Sequence, residues 1–234
     1  MFTSEFATLA EKSYSLALAL EDFLPVFFSI LGTYFISQVI ARMDTKERNM
    51  ATLGWLLVGL GGFCKALWKL LIAAGIGDFV VLDNALFPLL GPGFTLLAGA
   101  AGNAYRTVKG APPHRRWRWA LLIAGIHVVG ALAAAIFVPS KPDSLPIWKL
   151  IMLELTTISN IVYGVVLILL ALQNRAVSLA IIFGVWLALI FVLQGLARAT
   201  DHSETAQWLE QGLNTVGQAS YAWAAWQLLK KVRK

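Results

Sequence analysis

Residues 65–86 read KALWKLLIAAGIGDFVVLDNAL. Lys65 and Lys69 stand one helical turn apart in an otherwise apolar segment, GIGD interrupts it, and Asp83 and Asn84 open a second apolar segment. The pattern is a helix, a tight reversal and another helix, with charge gathered at the reversal. A surface helix of a soluble domain keeps one polar face. The segments flanking GIGD are apolar nearly all round, and each extends to the roughly 20 residues needed to cross a bilayer.

The pattern recurs along the chain. Of 234 residues, 58% are hydrophobic and only 14% charged, where soluble domains carry about 25% charged residues. Mean hydropathy is +0.70. These values predict an all-α, polytopic bundle of seven transmembrane helices, forming a single membrane domain over residues 1–234. The spans fall at about 18–41, 50–73, 84–105, 117–138, 148–172, 177–197 and 208–229. RMDTKERN, GIGD, KGAPPHRR, PSKPDSLP, QNRA and RATDHSE separate them; charge, Gly and Pro of this density do not rest in hydrocarbon. In the third span Pro88, Gly91, Pro92 and Gly93 predict a kink or a broken helix. GLGG at 59–62 lies inside a span and reads as close helix packing. The single Cys64 permits no intramolecular disulfide and reads as a packing residue. The first fifteen residues lack a basic leader and carry Glu5 and Glu11, so a signal peptide is not expected.

Basic residues set the orientation. Arg42, Lys46 and Arg48 follow the first span, Arg106, Lys109, Arg115, Arg116 and Arg118 the third, and Arg175 the fifth, while KKVRK ends the chain. All fall on one side, the expected cytoplasmic side, which places the N-terminus outside and the C-terminus inside. The opposite loops carry Asp78, Asp83, Asp143, Asp201 and Glu204. Trp117, Trp119, Trp223 and Trp226 sit near span ends as interfacial anchors do. The net charge of +6 belongs to loops and tail and gives no reason to expect nucleic acid. The setting expected is a bacterial cytoplasmic membrane.

A weak internal repeat is also legible. Lys65-Ala-Leu-Trp-Lys69 matches Gln194-Gly-Leu-Ala-Arg198 in chemical type, and Leu82-Asp-Asn-Ala-Leu86 matches Leu209-Glu-Gln-Gly-Leu213. Upstream, Leu20-Glu21 falls over Leu153-Glu154. Residues 15–110 and 146–234 would then be parallel halves related by an axis along the membrane normal, with the span at 117–138 joining them. Each half would present acid, cation and acid at one level near the outer face: Glu21, Lys69 and Asp83, then Glu154, Arg198 and Glu210. Lys65 and Gln194 lie one turn deeper, and Asp22, Asn84, Asn160, Gln211 and Asn214 add polar groups nearby. Such charges cost roughly 2–3 kcal/mol each at the bilayer centre and less near the interface, and they should face the bundle interior. Two readings follow: an ion-pair clasp that fixes packing, or an outward-facing pocket. The pocket reading takes Lys65, Lys69, Glu21, Asp83, Glu154, Gln194, Arg198, Glu210 and Asn214 as ligand-binding residues. The excess of polar groups over two simple ion pairs favours it.

Absences narrow the chemistry. His114 and His202 sit in loops, His127 stands alone in a span and reads as a hydrogen-bonded core residue, and no His or Cys cluster is present. No metal, cofactor or catalytic residue is therefore predicted. The size and three-one-three layout are similar to those of microbial rhodopsins and of sugar transporters built from triple-helix bundles. A retinal protein needs a lysine in the middle of span seven, where NTVGQASYAW has none. The transporter likeness is architectural, and architecture alone carries no function. The function expected is binding or transport of a small polar or anionic solute from outside. The alternative is a non-transporting sensor or accessory subunit, with a membrane-protein partner or a second copy of the chain. An enzyme is the weaker expectation.

Overall fold

The computed structural model describes residues 15–111, 117–139, 145–196 and 204–232. Arg198 lies outside them, as do the loop residues Asp143, Asp201, Arg115 and Arg116. The elements are α1 (Leu16–Glu21), α2 (Phe23–Met43), a 3-10 turn (Thr45–Glu47), α3 (Arg48–Ala73), α4 (Val80–Asn84), α5 (Leu86–Val108), α6 (Trp117–Phe137), α7 (Ile147–Gln173), α8 (Val177–Leu196) and α9 (Glu204–Lys231). No strand occurs among the described residues. Six segments are long and apolar enough to cross a membrane, from Leu16–Met43 to Val177–Leu196. The chain is thus an integral membrane protein whose apolar helices contact the lipid bilayer. The seventh long helix, α9, has 28 residues but lies outside that apolar class, because Gln207, Gln211, Asn214 and Gln218 interrupt it at helical spacing.

Prolines place two breaks. Pro25 cannot bond to the carbonyl of Glu21, nor Pro88 to that of Asn84, and each ring crowds that carbonyl. The first span accordingly divides at Asp22, and the third at Ala85. The kink or break expected from Pro88, Gly91, Pro92 and Gly93 is thus met at Pro88, while α5 runs helical through Gly91, Pro92 and Gly93. These glycines instead bring α5 close to its neighbours. A Cβ on Gly93 would stand 3.0 Å from the Gly54 carbonyl of α3, and one on Gly91 would stand 3.1 Å from Leu155 of α7. The GLGG segment packs as expected, with a Cβ on Gly59 falling 2.9 Å from Ile30. At the GIGD reversal Gly75 has φ +70°. Its N–H bonds Ile72 O at 2.9 Å and Ile76 N–H bonds Leu71 O at 3.0 Å, so a left-handed glycine closes α3 and turns the chain back.

Each helix packs on the next around a closed ring, in the order α2, α3, α5, α7, α8, α9, and α9 returns to α2. The helix α6 stands outside the ring against α5 and α7. One end of the ring is basic, carrying Arg42, Arg48, Arg106, Lys109, Arg175, Lys230 and Lys231. There the Arg42 guanidinium donates to the Leu229 carbonyl at 2.9 Å and ties α2 to the end of α9. Deeper, an aromatic plug fills the ring. The Tyr163 and Tyr221 hydroxyls bond at 2.7 Å, and Trp186 stacks on Tyr221 with centroids 4.5 Å apart. Phe183 meets Tyr221 edge-on. Tyr163, Phe183, Trp186 and Tyr221 are all buried.

Candidate solute cavity

Above the plug the ring encloses a cavity of about 510 Å³, within the range of small-molecule sites. Every ring helix contributes to its wall. Asp22 and Ser29 come from the first span, Lys65 and Lys69 from α3, Phe94 from α5, Thr156 and Asn160 from α7, Trp186 and Gln194 from α8, and Glu210, Gln211, Asn214 and Gln218 from α9. On α9 these polar residues recur at intervals of three and four, which places them on one helical face. That face is turned inward, which accounts for the low apolarity of α9.

The rim opposite the basic end is held by ion pairs. Lys69 Nζ lies 2.6 Å from Asp22 Oδ2, both side chains being largely buried. Lys65 pairs with Asp83, and Lys149 reaches the other oxygen of Asp83 at 3.3 Å. The Lys65 ammonium also lies 4.0 Å from the Trp68 ring centroid, while the Trp68 indole donates to Asp78 at 2.7 Å. The Thr215 hydroxyl donates to Glu21 Oε1 at 2.5 Å, joining α1 to α9. The short helices α1 and α4, cut off by Pro25 and Pro88, thus carry carboxylates to the mouth of the ring.

Of the residues expected from sequence, Lys65, Lys69, Gln194, Glu210 and Asn214 line the cavity. Asp83 binds two of the rim lysines. Glu21 stands at the rim but bonds Thr215, and its neighbour Asp22 meets Lys69 in its place. Glu154 is exposed on the outer side of α7, away from the cavity that Leu153 and Thr157 line. Arg198 falls outside the described residues. His127 is half-buried rather than a core residue, and its Nδ1 meets the Ile123 carbonyl at 2.8 Å. Sequence reasoning overlooked Lys149, Trp186 and Gln218. The run Gln207, Gln211, Asn214, Gln218 was a usable signal, since amides at i, i+4, i+7 and i+11 share a face.

Comparison with protein-family models, with curated proteins and with solved structures gives no match for this chain.

Proposed function

We propose that this membrane protein takes a small polar solute into the ring cavity from the outer face. One observation carries the reading: a cavity within the ring sets polar side chains from separate helices into a largely apolar wall, and not all of those groups are consumed by bonds to one another. Buried amide oxygens of Asn160, Gln211 and Gln218 have no partner within the protein. A clasp that served packing alone would have no use for them, because each costs about 1–3 kcal/mol when left unmade. The positive-inside rule puts the basic end in the cytoplasm, so the clasp end and the cavity mouth face outward. The six-helix ring in sequential order is compatible with the parallel repeat, in which a half-turn exchanges α2, α3 and α5 with α7, α8 and α9.

The test is entry of water-soluble reagent. With Cys64 replaced by serine, Asn214→Cys in intact cells should react with a small membrane-impermeant thiol reagent. If a rim position such as Ser15→Cys reacts and Asn214→Cys stays unlabelled, the cavity is closed to outside solutes and the reading fails.

Glu154 favours a second, compatible reading. A carboxylate on the lipid-facing side of α7 is costly unless a neighbouring membrane protein or a second copy covers it. Under that reading Glu154→Leu shrinks the complex isolated in mild detergent while labelling at Asn214→Cys is unchanged.

A further inference from the structure

We infer that the deep part of the cavity binds a neutral, hydroxyl-rich small molecule through Asn160, Trp186, Gln211 and Gln218. This rests on the solute-cavity reading and adds the chemical class of the solute. The amide oxygens of Asn160, Gln211 and Gln218 and the indole N–H of Trp186 are buried without a partner within the protein. All four residues line the one cavity. Gln211 is only 8% and Trp186 only 3% exposed, so open solvent does not serve them.

Three of these residues lie at nearly one depth. Asn160 stands about one turn from Tyr163 on α7 and Gln218 about one turn from Tyr221 on α9, and Trp186 lies against both tyrosine rings. Gln211 lies higher, about 10 Å along α9. The indole is held in place by its stack on Tyr221, whose hydroxyl is fixed by Tyr163.

The mixture of groups selects the ligand. An anion such as phosphate needs a counter-cation, yet Lys65 and Lys69 are already held by Asp83 and Asp22, and the amides offer it only neutral donors. A simple ammonium brings only donors and leaves the Trp186 N–H unmet. A zwitterion needs a cation for its carboxylate, yet Lys65 and Lys69 are already held by Asp83 and Asp22. Hydroxyl groups donate and accept, so several hydroxyls on one neutral frame satisfy the amide oxygens and the indole together. The apolar wall of Phe94, Leu90 and Ile190 suits the C–H faces of such a frame.

The experiment measures the melting temperature of the purified full-length protein in detergent at rising solute concentration. The probes are a panel of neutral polyols and monosaccharides at low millimolar levels, beside inorganic phosphate, methylammonium and glycine. At least one neutral probe should give a saturable rise, and the charged probes none. Asn160→Leu and Gln218→Leu should each weaken that response at least about tenfold, while the unliganded melting temperature holds or rises because a buried unpaired amide is gone. The inference is overturned if phosphate, methylammonium or glycine is the saturating probe, if no neutral probe gives a rise, or if the rise persists unchanged in the double leucine variant. Labelling of Asn214→Cys reads the cavity independently, so an open cavity without a response to polyols refutes this inference alone.

Discussion

Glu21 and Asp22 are adjacent, yet only Asp22 meets Lys69, because neighbours on a helix point about 100° apart. Glu21 is turned toward α9, where the Thr215 hydroxyl donates to it. The two carboxylates therefore differ in what their loss exposes. Asp22→Asn takes the Asp22 charge away from the Lys69 ammonium in a largely buried place, a loss that costs about 3 kcal/mol. Glu21→Gln keeps an acceptor oxygen for Thr215 and should cost under about 1 kcal/mol. Thermal melts of the purified variants check the difference. The same asymmetry governs rescue: Asp22→Asn should restore part of the stability lost in Lys69→Ala, and Glu21→Gln should not. Equal rescue by both would mean that Lys69 shares its charge between them.

At the scale of elements, close approach is carried by particular glycines. A Cβ on Gly32 of α2 would fall 2.2 Å from the Tyr221 ring, whereas one on Gly125 of α6 meets nothing within 4 Å. Gly32→Ala must push Tyr221 aside and break its bond to Tyr163, costing about 2–3 kcal/mol as overpacking does; Gly125→Ala should be neutral or slightly stabilising. Melting temperatures of the two variants decide this, and an unchanged Gly32→Ala would show that the plug yields freely. Such contacts were not legible beforehand, although the helices themselves were. Apolar length and the charged breaks placed α3, α6, α7 and α8 within about two residues of their observed ends. Depth was legible too, because residues can be counted from a break, and Lys65, Lys69, Asp22 and Asp83 do gather at one end. Facing direction was not. Lipid and protein interior are both apolar, so a span such as α7 carries little record of which side is inward. Glu154 was accordingly assigned to the cavity one position away from Leu153, which does line it. A break in the third span was legible from Pro88, Gly91, Pro92 and Gly93, but not its place: it falls at Ala85, ahead of Pro88, and the helix continues through Pro92.

For the molecule as a whole, the number of crossings fixes where the two ends lie. Six apolar segments alone would return the chain to the side on which it began, and a seventh crossing by α9 would separate the ends. The packing favours seven. The helix α9 is long, closes the ring against α2 and α8, and turns Gln211, Asn214 and Gln218 into the cavity. Its low apolarity is therefore spent inside the protein, and Val216 and Trp223 are among the residues on its exposed side. On the proposed topology the basic Arg42 end lies in the cytoplasm. With Cys64 replaced by serine, Ser15→Cys in intact cells should be labelled by an impermeant maleimide. Lys231→Cys should react only after the membrane is opened. Labelling of both from outside, or of neither, would make α9 a helix that does not cross. Labelling of Lys231→Cys alone would keep seven crossings but turn the cavity mouth to the cytoplasm, and uptake from outside could no longer begin at the Lys65–Asp83 rim.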